Sequence, residues 1–273
     1  MRRITISLVA AVAATATSLL GVSNAAAGAA ASAQPPDSGF AKGRSDSLPN
    51  PKADKQAAQR ALGKQMQLAG KIPQDAKVGK VAKGQYVELA REGEDSIWSV
   101  LGEFGNQVSP TYGGTAGPQR NQIPQPDRTV DNSTIWAPDF TPAYYSTMLF
   151  SDAPGAVSMR NFYKEQSSNR YTVNGDVTDW TQVPFNEAYY GSNYCGGIVC
   201  ARTWLFVRDS VNAWYNAQVA AGKSQADIEA YLAKFDVWDR YDYDHDGNFN
   251  EPDGYIDHFQ SIHAGEGEET GGG

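Results

Sequence analysis

A chain of 273 residues, 41% hydrophobic and 20% charged, is long enough to bury one sizeable core or two ordinary ones. Its formal net charge of −8 leaves no basic face for phosphates, which excludes nucleic acid as an expected partner. The same acidity suits a protein that must stay soluble outside a cell.

In chain order, "MRRITISLVAAVAATATSLLGVSNAAAGAAASA" carries Arg2 and Arg3, an apolar run from Ile4 to Val22, and small residues at Ser23/Ala25 and Ala31/Ala33 suited to signal peptidase. It reads as a secretory signal over residues 1–33 and predicts a secreted, extracellular protein. The competing reading, an uncleaved anchor, is weakened by the Ala/Thr/Ser content and by Gly21. No later segment is apolar for long enough to span a bilayer, so no stable membrane association is expected. Residues 34 to about 57 are rich in Pro, Gly, Ser, Asp and Lys and read as a flexible leader.

From Asp54 the spacing predicts a helix with Ala58, Leu62, Met66 and Ala69 on its buried stripe, stopped by Gly70 and Pro73. "GQYVELA" and "DSIWSVLGEF" read as two strands of a hairpin turning at "REGED". Residues 105–134, dense in Gly, Pro, Asn and Gln, read as an exposed linker open to proteases. This order suggests a pro-region over 34–126, a helix plus a β-hairpin with its leader and linker, followed by a main domain over 127–273. The Asn132 sequon matters only if the producing cell glycosylates.

Within the main domain "STMLFSD" reads as a short strand, and residues 158–167 as a helix capped by Ser158. "RYTVNGDVTDW" reads as a strand reversing at Asn174-Gly175. Trp204, Val207, Val211 and Trp214 mark a helix running to Gly222, and Ser224 with Asp227 caps a further one bearing Ile228, Tyr231, Leu232 and Phe235. "GYIDHFQSIHAG" alternates as a strand does. The fold class expected from these elements is α+β.

Three features carry chemistry. Cys195 and Cys200, the only cysteines, close a short loop, and in an exported chain they read as a disulfide. Zinc binding by the pair would need two more soft ligands, which the neighbouring sequence lacks. The stretch "DRYDYDHDGNFNEPDGYIDH" aligns to the calcium-loop template D-x-[DN]-x-[DN]-G: Asp242, Asp244, Asp246 and Gly247 fall on positions 1, 3, 5 and 6, Phe249 on the apolar position 8 and Asp253 on position 12. Hard oxygens at alternate residues are what calcium requires, with Asn248 offering its carbonyl and Asn250 a direct or water-mediated contact. Asp at position 12 shortens the reach, and the following strand makes this an EF-like loop and not a helix-loop-helix hand. The alternative is a solvated acidic turn. Finally, His258 and His263 are spaced so that a strand places them on opposite faces, and His245 lies at a non-ligand position of the loop, so packed or solvent-facing histidines are the simpler reading.

Taken together, "DNSTIWAPDF", "SMRNFYKEQSSNRYTVNGDVTDW", "YGSNYCGGIVC" and above all "YDYDHDGNFNEPDGYIDHFQSIHAGEGEETGGG" resemble the immune inhibitor A family of secreted bacterial metallopeptidases, from about residue 85 onward. The resemblance implies an exported zymogen acting on protein substrates, held inactive by its own pro-region. It also implies a zincin-like catalytic domain, whose zinc is bound by H-E-x-x-H with a third ligand beyond and whose Glu polarises the attacking water. That motif does not occur in these residues. The resemblance places it beyond "HAGEGEE", so residues 127–273 would be the first part of the catalytic domain, without zinc ligands or a catalytic residue and inactive alone. A rival reading is a secreted calcium-dependent binding or adhesion module without catalytic activity.

Overall fold

The computed structural model describes residues 50–195 and 200–265; the expected signal, nearly all of the leader before Asn50, and the carboxylates following Gly265 lie outside the described residues. Helix α1, Pro51–Leu68, starts where Pro51 can stand without its N–H and where the Asn50 side chain accepts from Ala53 N. Its buried face is Gly63, Met66 and Gln67, not the predicted Ala58/Leu62/Ala69 stripe, and Leu62 is exposed. The helix rolls onto Gly63 because strand residues come very close there: a Cβ would lie 2.7 Å from Leu89 and 2.9 Å from Val87.

The predicted hairpin does not form. Strand β2, Gln85–Glu88, pairs antiparallel with β1, Val78–Ala82, around Gly84, and with α1 closes a small core of Ile72, Val87 and Leu89. Strand β3, Gly93–Glu103, turns away into a second sheet and becomes its centre. There β4, Tyr171–Val177, lies beside Gly93 to Ser99, and β5, Thr181–Gln182, beside Gly102 and Glu103. On the opposite edge β6, His258–His263, runs beside Ile97 to Gly102. All three pairings are parallel. The mixed α and β content stands, but the main sheet is parallel with helices on both faces. A sequence buried on both faces reads as a nearly continuous apolar run, and "SIWSVL" gave no hint of which strands it would meet. The sheet straddles the expected boundary at residue 126: its central strand belongs to the segment assigned to the pro-region.

Side chains alternate across β3. Trp98 and Val100 pack against α5, Thr203–Ala220, against α6, Gln225–Leu232, and against the short 3-10 turn Ala233–Phe235, through Trp214, Ile228 and Phe235. Leu101 faces the other way, into Phe140, Trp180 and the tyrosines of α2, Pro142–Phe150. That segment was expected to be a strand. It is helical because Thr141 caps it, accepting from Tyr144 N, and Pro142 opens it. Helix α3, Met159–Gln166, is capped by Ser158 as expected, and Ser224 with Asp227 forms a capping box on α6. In α5 the buried stripe is Phe206, Ser210 and Trp214, while Trp204 is largely exposed.

Asn174-Gly175 is no reversal. It lies within β4, where Gly175 backs onto Ile97; a Cβ there would stand 2.8 Å from the Phe150 ring and closer still to the Ile97 carbonyl. The segment after β3 is also not a free linker. Buried Asn186, just before the four-residue helix α4, Glu187–Tyr190, donates to the carbonyls of Gly113 and Thr115 and accepts from Ser109 N, pinning the chain through Thr115. The exposed part is shorter, about residues 119–135. Cys195 and Cys200 are bonded, with Cα atoms 5.7 Å apart. No helix among the described residues is long and apolar enough to cross a membrane.

Candidate metal centre

The acidic segment runs from the end of the 3-10 turn to the start of β6, so α6 and the sheet fix its two ends. Between them alternating side chains accept from main-chain amides further along the loop. Asp242 accepts from Gly247 N at 2.9 Å, Asp244 from Asp246 N at 3.2 Å, Asp246 from Asn248 N at 2.6 Å and Asn248 from Asn250 N at 3.2 Å. Gly247 adopts φ +85°, and Asp242 and His245 are also left-handed, at +49° and +65°. Left-handed backbone at non-glycine residues is uncommon, and here it turns the loop tightly enough to gather its carboxylates.

Three of the predicted ligands converge. Carboxylate oxygens of Asp242, Asp244 and Asp246 lie within 4.8 Å of one another, and Asp244 also belongs to a group with Asp239 and Glu251. Asp253, assigned to position 12, does not join them; it groups with Asp236 and Asp257. The reason is local. Asp236 captures Asp253 N at 2.9 Å and Gly254 N, while Asp257 accepts from Val237 N and Trp238 N, so these turns hold each other at the base of the loop. Asn250 is engaged elsewhere, accepting from Arg91 at 3.0 Å. Asn248 directs its amide nitrogen to Glu251 at 2.8 Å, which leaves its main-chain carbonyl as the donor the template asks of it.

Asp236, Asp239, Glu251 and Asp257 were missed on sequence. The signal was faint: Asp236 and Asp239 precede the template, Glu251 stands where it expects no ligand, and Asp257 joins only through the register of β6.

The electrostatics follow from crowding. Burial, then the charges of Asp239 and Asp244, push Asp242 above the usual carboxylate range against the Gly247 hydrogen bond. Glu251 is raised by desolvation and by Asp246 and Asp244, and Asp253 by burial with Asp236 and Asp239. Asp257 is pushed up to about 6, by burial first and by Asp236 and Asp253 next. Carboxylates raised together in this way are a set whose repulsion a hard divalent cation relieves. Oxygen donors alone suit calcium and not zinc.

Asp95 next to this loop shows the opposite balance. It is almost wholly buried, which works against its charge, yet His258 at 3.2 Å, Arg91 and Tyr171 at 3.0 Å together hold it at about 2. His258 also stacks on Trp238, and His263 packs near Phe104 and Phe206 on the other face of the sheet. The described residues therefore do not fit a catalytic zinc: no converging group of three ligand atoms among them includes a histidine. No catalytic step is assigned to them.

A family model described as "Immune inhibitor A peptidase M6, catalytic domain" matches residues 83–273. Among curated relatives, the pre-pro-metalloprotease PrtV of Vibrio cholerae serotype O1 is 36% identical over 152 residues, 53% of this chain and 16% of the relative. Immune inhibitor A of Bacillus thuringiensis subsp. alesti is 38% identical over 146 residues, 51% of this chain and 20% of the relative. The matched stretch thus spans a fifth or less of the length of these relatives.

Proposed function

The chain belongs to the immune inhibitor A family of M6 metallopeptidases, and from that premise we propose that it is part of an exported zinc endopeptidase, made as a zymogen, that hydrolyses extracellular proteins. Zinc, when bound in such an enzyme, activates the attacking water. In this reading its ligands are supplied by H-E-x-x-H outside the described residues, the expected zincin-like domain includes the parallel sheet, and the inhibitory pro-region is the unit of α1, β1 and β2.

The loop at 242–251 is proposed to hold a structural calcium. Asp242, Asp244, Asp246 and the Asn248 carbonyl are its ligands, with Asp239 and Glu251 where the template called on Asp253. The carrying observation is Asp244, shared between two converging carboxylate groups, as one ion bound by both would require.

Thermal unfolding in chelator and in millimolar calcium tests the metal. Calcium is expected to raise the melting temperature, and an unchanged melting curve overturns the reading. Caseinolysis tests the enzyme: the 273-residue chain with added zinc is expected to be inactive, and chelator-sensitive hydrolysis by it overturns the assignment of the zinc ligands elsewhere.

A further inference from the structure

The outer side of the acidic loop is covered by the N-terminal unit. Lys52 on α1 donates to the Tyr243 hydroxyl at 2.9 Å and lies over the Tyr243 ring. Gln56, one turn on, donates to the Arg240 carbonyl at 2.7 Å. The Tyr86 ring of β2 lies flush against Gly247, where a Cβ would come within 2.7 Å of it. Arg91, in the segment joining β2 to β3, donates to Asn250. Tyr243, Gly247 and Asn250 thus face the unit along the same loop whose Asp242, Asp244 and Asp246 carboxylates converge.

Gly247 links the inner and outer sides of the loop. Its N–H is held by Asp242 inside the loop, while its α-carbon is the floor on which Tyr86 rests outside. The tight left-handed turn that gathers the carboxylates is therefore the same turn that makes room for the tyrosine. A loop relaxed by repulsion among its aspartates would lose that contact and the Arg240 and Tyr243 positions together.

We infer that this loop is the docking surface for the unit of α1, β1 and β2, and that cation occupancy and docking are coupled, each strengthening the other. The inference rests on the calcium reading above and adds its consequence: the cation sets how firmly the N-terminal unit is held on the sheet domain. Linkage is reciprocal, so the effect must run both ways with the same factor. Calcium tightens docking, and removal of the docking contacts weakens calcium binding.

The test uses the whole 273-residue chain. Calcium titrations followed by melting temperature are made on wild type, Gln56→Ala, Tyr86→Ala and, as a control on the exposed side of α1, Leu62→Ala. Amide exchange over 51–68 is followed in chelator and in calcium. The expected result is calcium affinity lowered about 5-fold or more in Gln56→Ala and Tyr86→Ala and unchanged in Leu62→Ala, with calcium slowing exchange in α1 of wild type. If wild type responds to calcium while both docking variants keep its affinity and α1 exchange ignores the ion, the coupling is wrong and the calcium reading stands. If wild type shows no response at all, the calcium reading itself fails and the coupling with it.

Discussion

The parallel sheet and the acidic loop beside it solve opposite problems with neighbouring stretches of chain. Along β3, Val100 and Leu101 are fully buried on opposite faces, and strands pair with it along both edges. The loop buries Asp236, Asp239 and Asp242 nearly as deeply, but its interior is made of like charges. Apolar burial stabilises under all ionic conditions, whereas a carboxylate cluster is stable only to the extent that protons, amides or a cation offset its repulsion. Asp95 sharpens the contrast, for it is as buried as the loop acids and stays charged because Arg91, His258 and Tyr171 surround it. Burial alone does not decide the state of an acid; its partners do.

Leu101→Ala should break the sheet side of this comparison most severely. It removes a side chain with no exposed surface from between Phe140 and Trp180 and should cost about 3 kcal/mol, equally in chelator and in calcium, by denaturant unfolding. A calcium-dependent cost would mean that sheet and loop are not energetically distinct. Gly175→Ala comes next. Its Cβ would press on the Ile97 carbonyl and the Phe150 ring, and forced displacement in a packed interior should cost about 2 kcal/mol on the same measurement.

Asp95 contributes to the acid limb of the pH dependence. Its folded pKa lies below the ordinary value of 3.8, so the stability it contributes is fully present above about 4 and is lost as pH falls toward about 2. That contribution is on the order of 1–2 kcal/mol after solvent screening, and Asp95→Asn should flatten the acid limb of the stability curve by that amount. An unaltered limb would show that another group carries it.

The smallest effect belongs to the loop. Extracellular calcium modules bind at roughly 0.1–1 mM, so millimolar calcium should add about 1 kcal/mol, and Asp244→Ala or Asp246→Ala should abolish that gain. Neither should lower the melting temperature in chelator, since each removes a repelling charge. If either variant retains the full calcium gain, the loop is an acidic turn.

What was legible in the sequence was mostly local. Ser158 and Ser224 announce their helices because a cap acts within one turn, and the alternating aspartates with Gly247 reveal three converging carboxylates because they lie within five residues. The Cys195–Cys200 pair is equally short-range. What failed depended mostly on distant partners, with one local miss. "STMLFSD" is as apolar as a strand and becomes helical through Thr141 and Pro142 just before it. Asn174-Gly175 has the chemistry of a turn, yet glycine here serves the close passage of Ile97. Leu62 was taken for core because periodicity cannot say which side of α1 the hairpin will occupy. Asp253 parts from the template's count in the same way: the template counts residues, while Asp236 reaches Asp253 across 17 positions of chain and Asp257 groups with both.

The place of β3 in the sheet has a kinetic consequence. It is the first strand of the parallel sheet to be synthesised, and its partner across the Gly102↔His263 pair follows some 160 residues later. Parallel pairing of such remote segments is slow, because loop closure must be paid for before the contacts return anything. Until β6 arrives, one edge of the central strand of this sheet stands open to pairing with other molecules. Refolding yield should therefore fall steeply with protein concentration, and folding during synthesis cannot finish the core before the chain has passed residue 263.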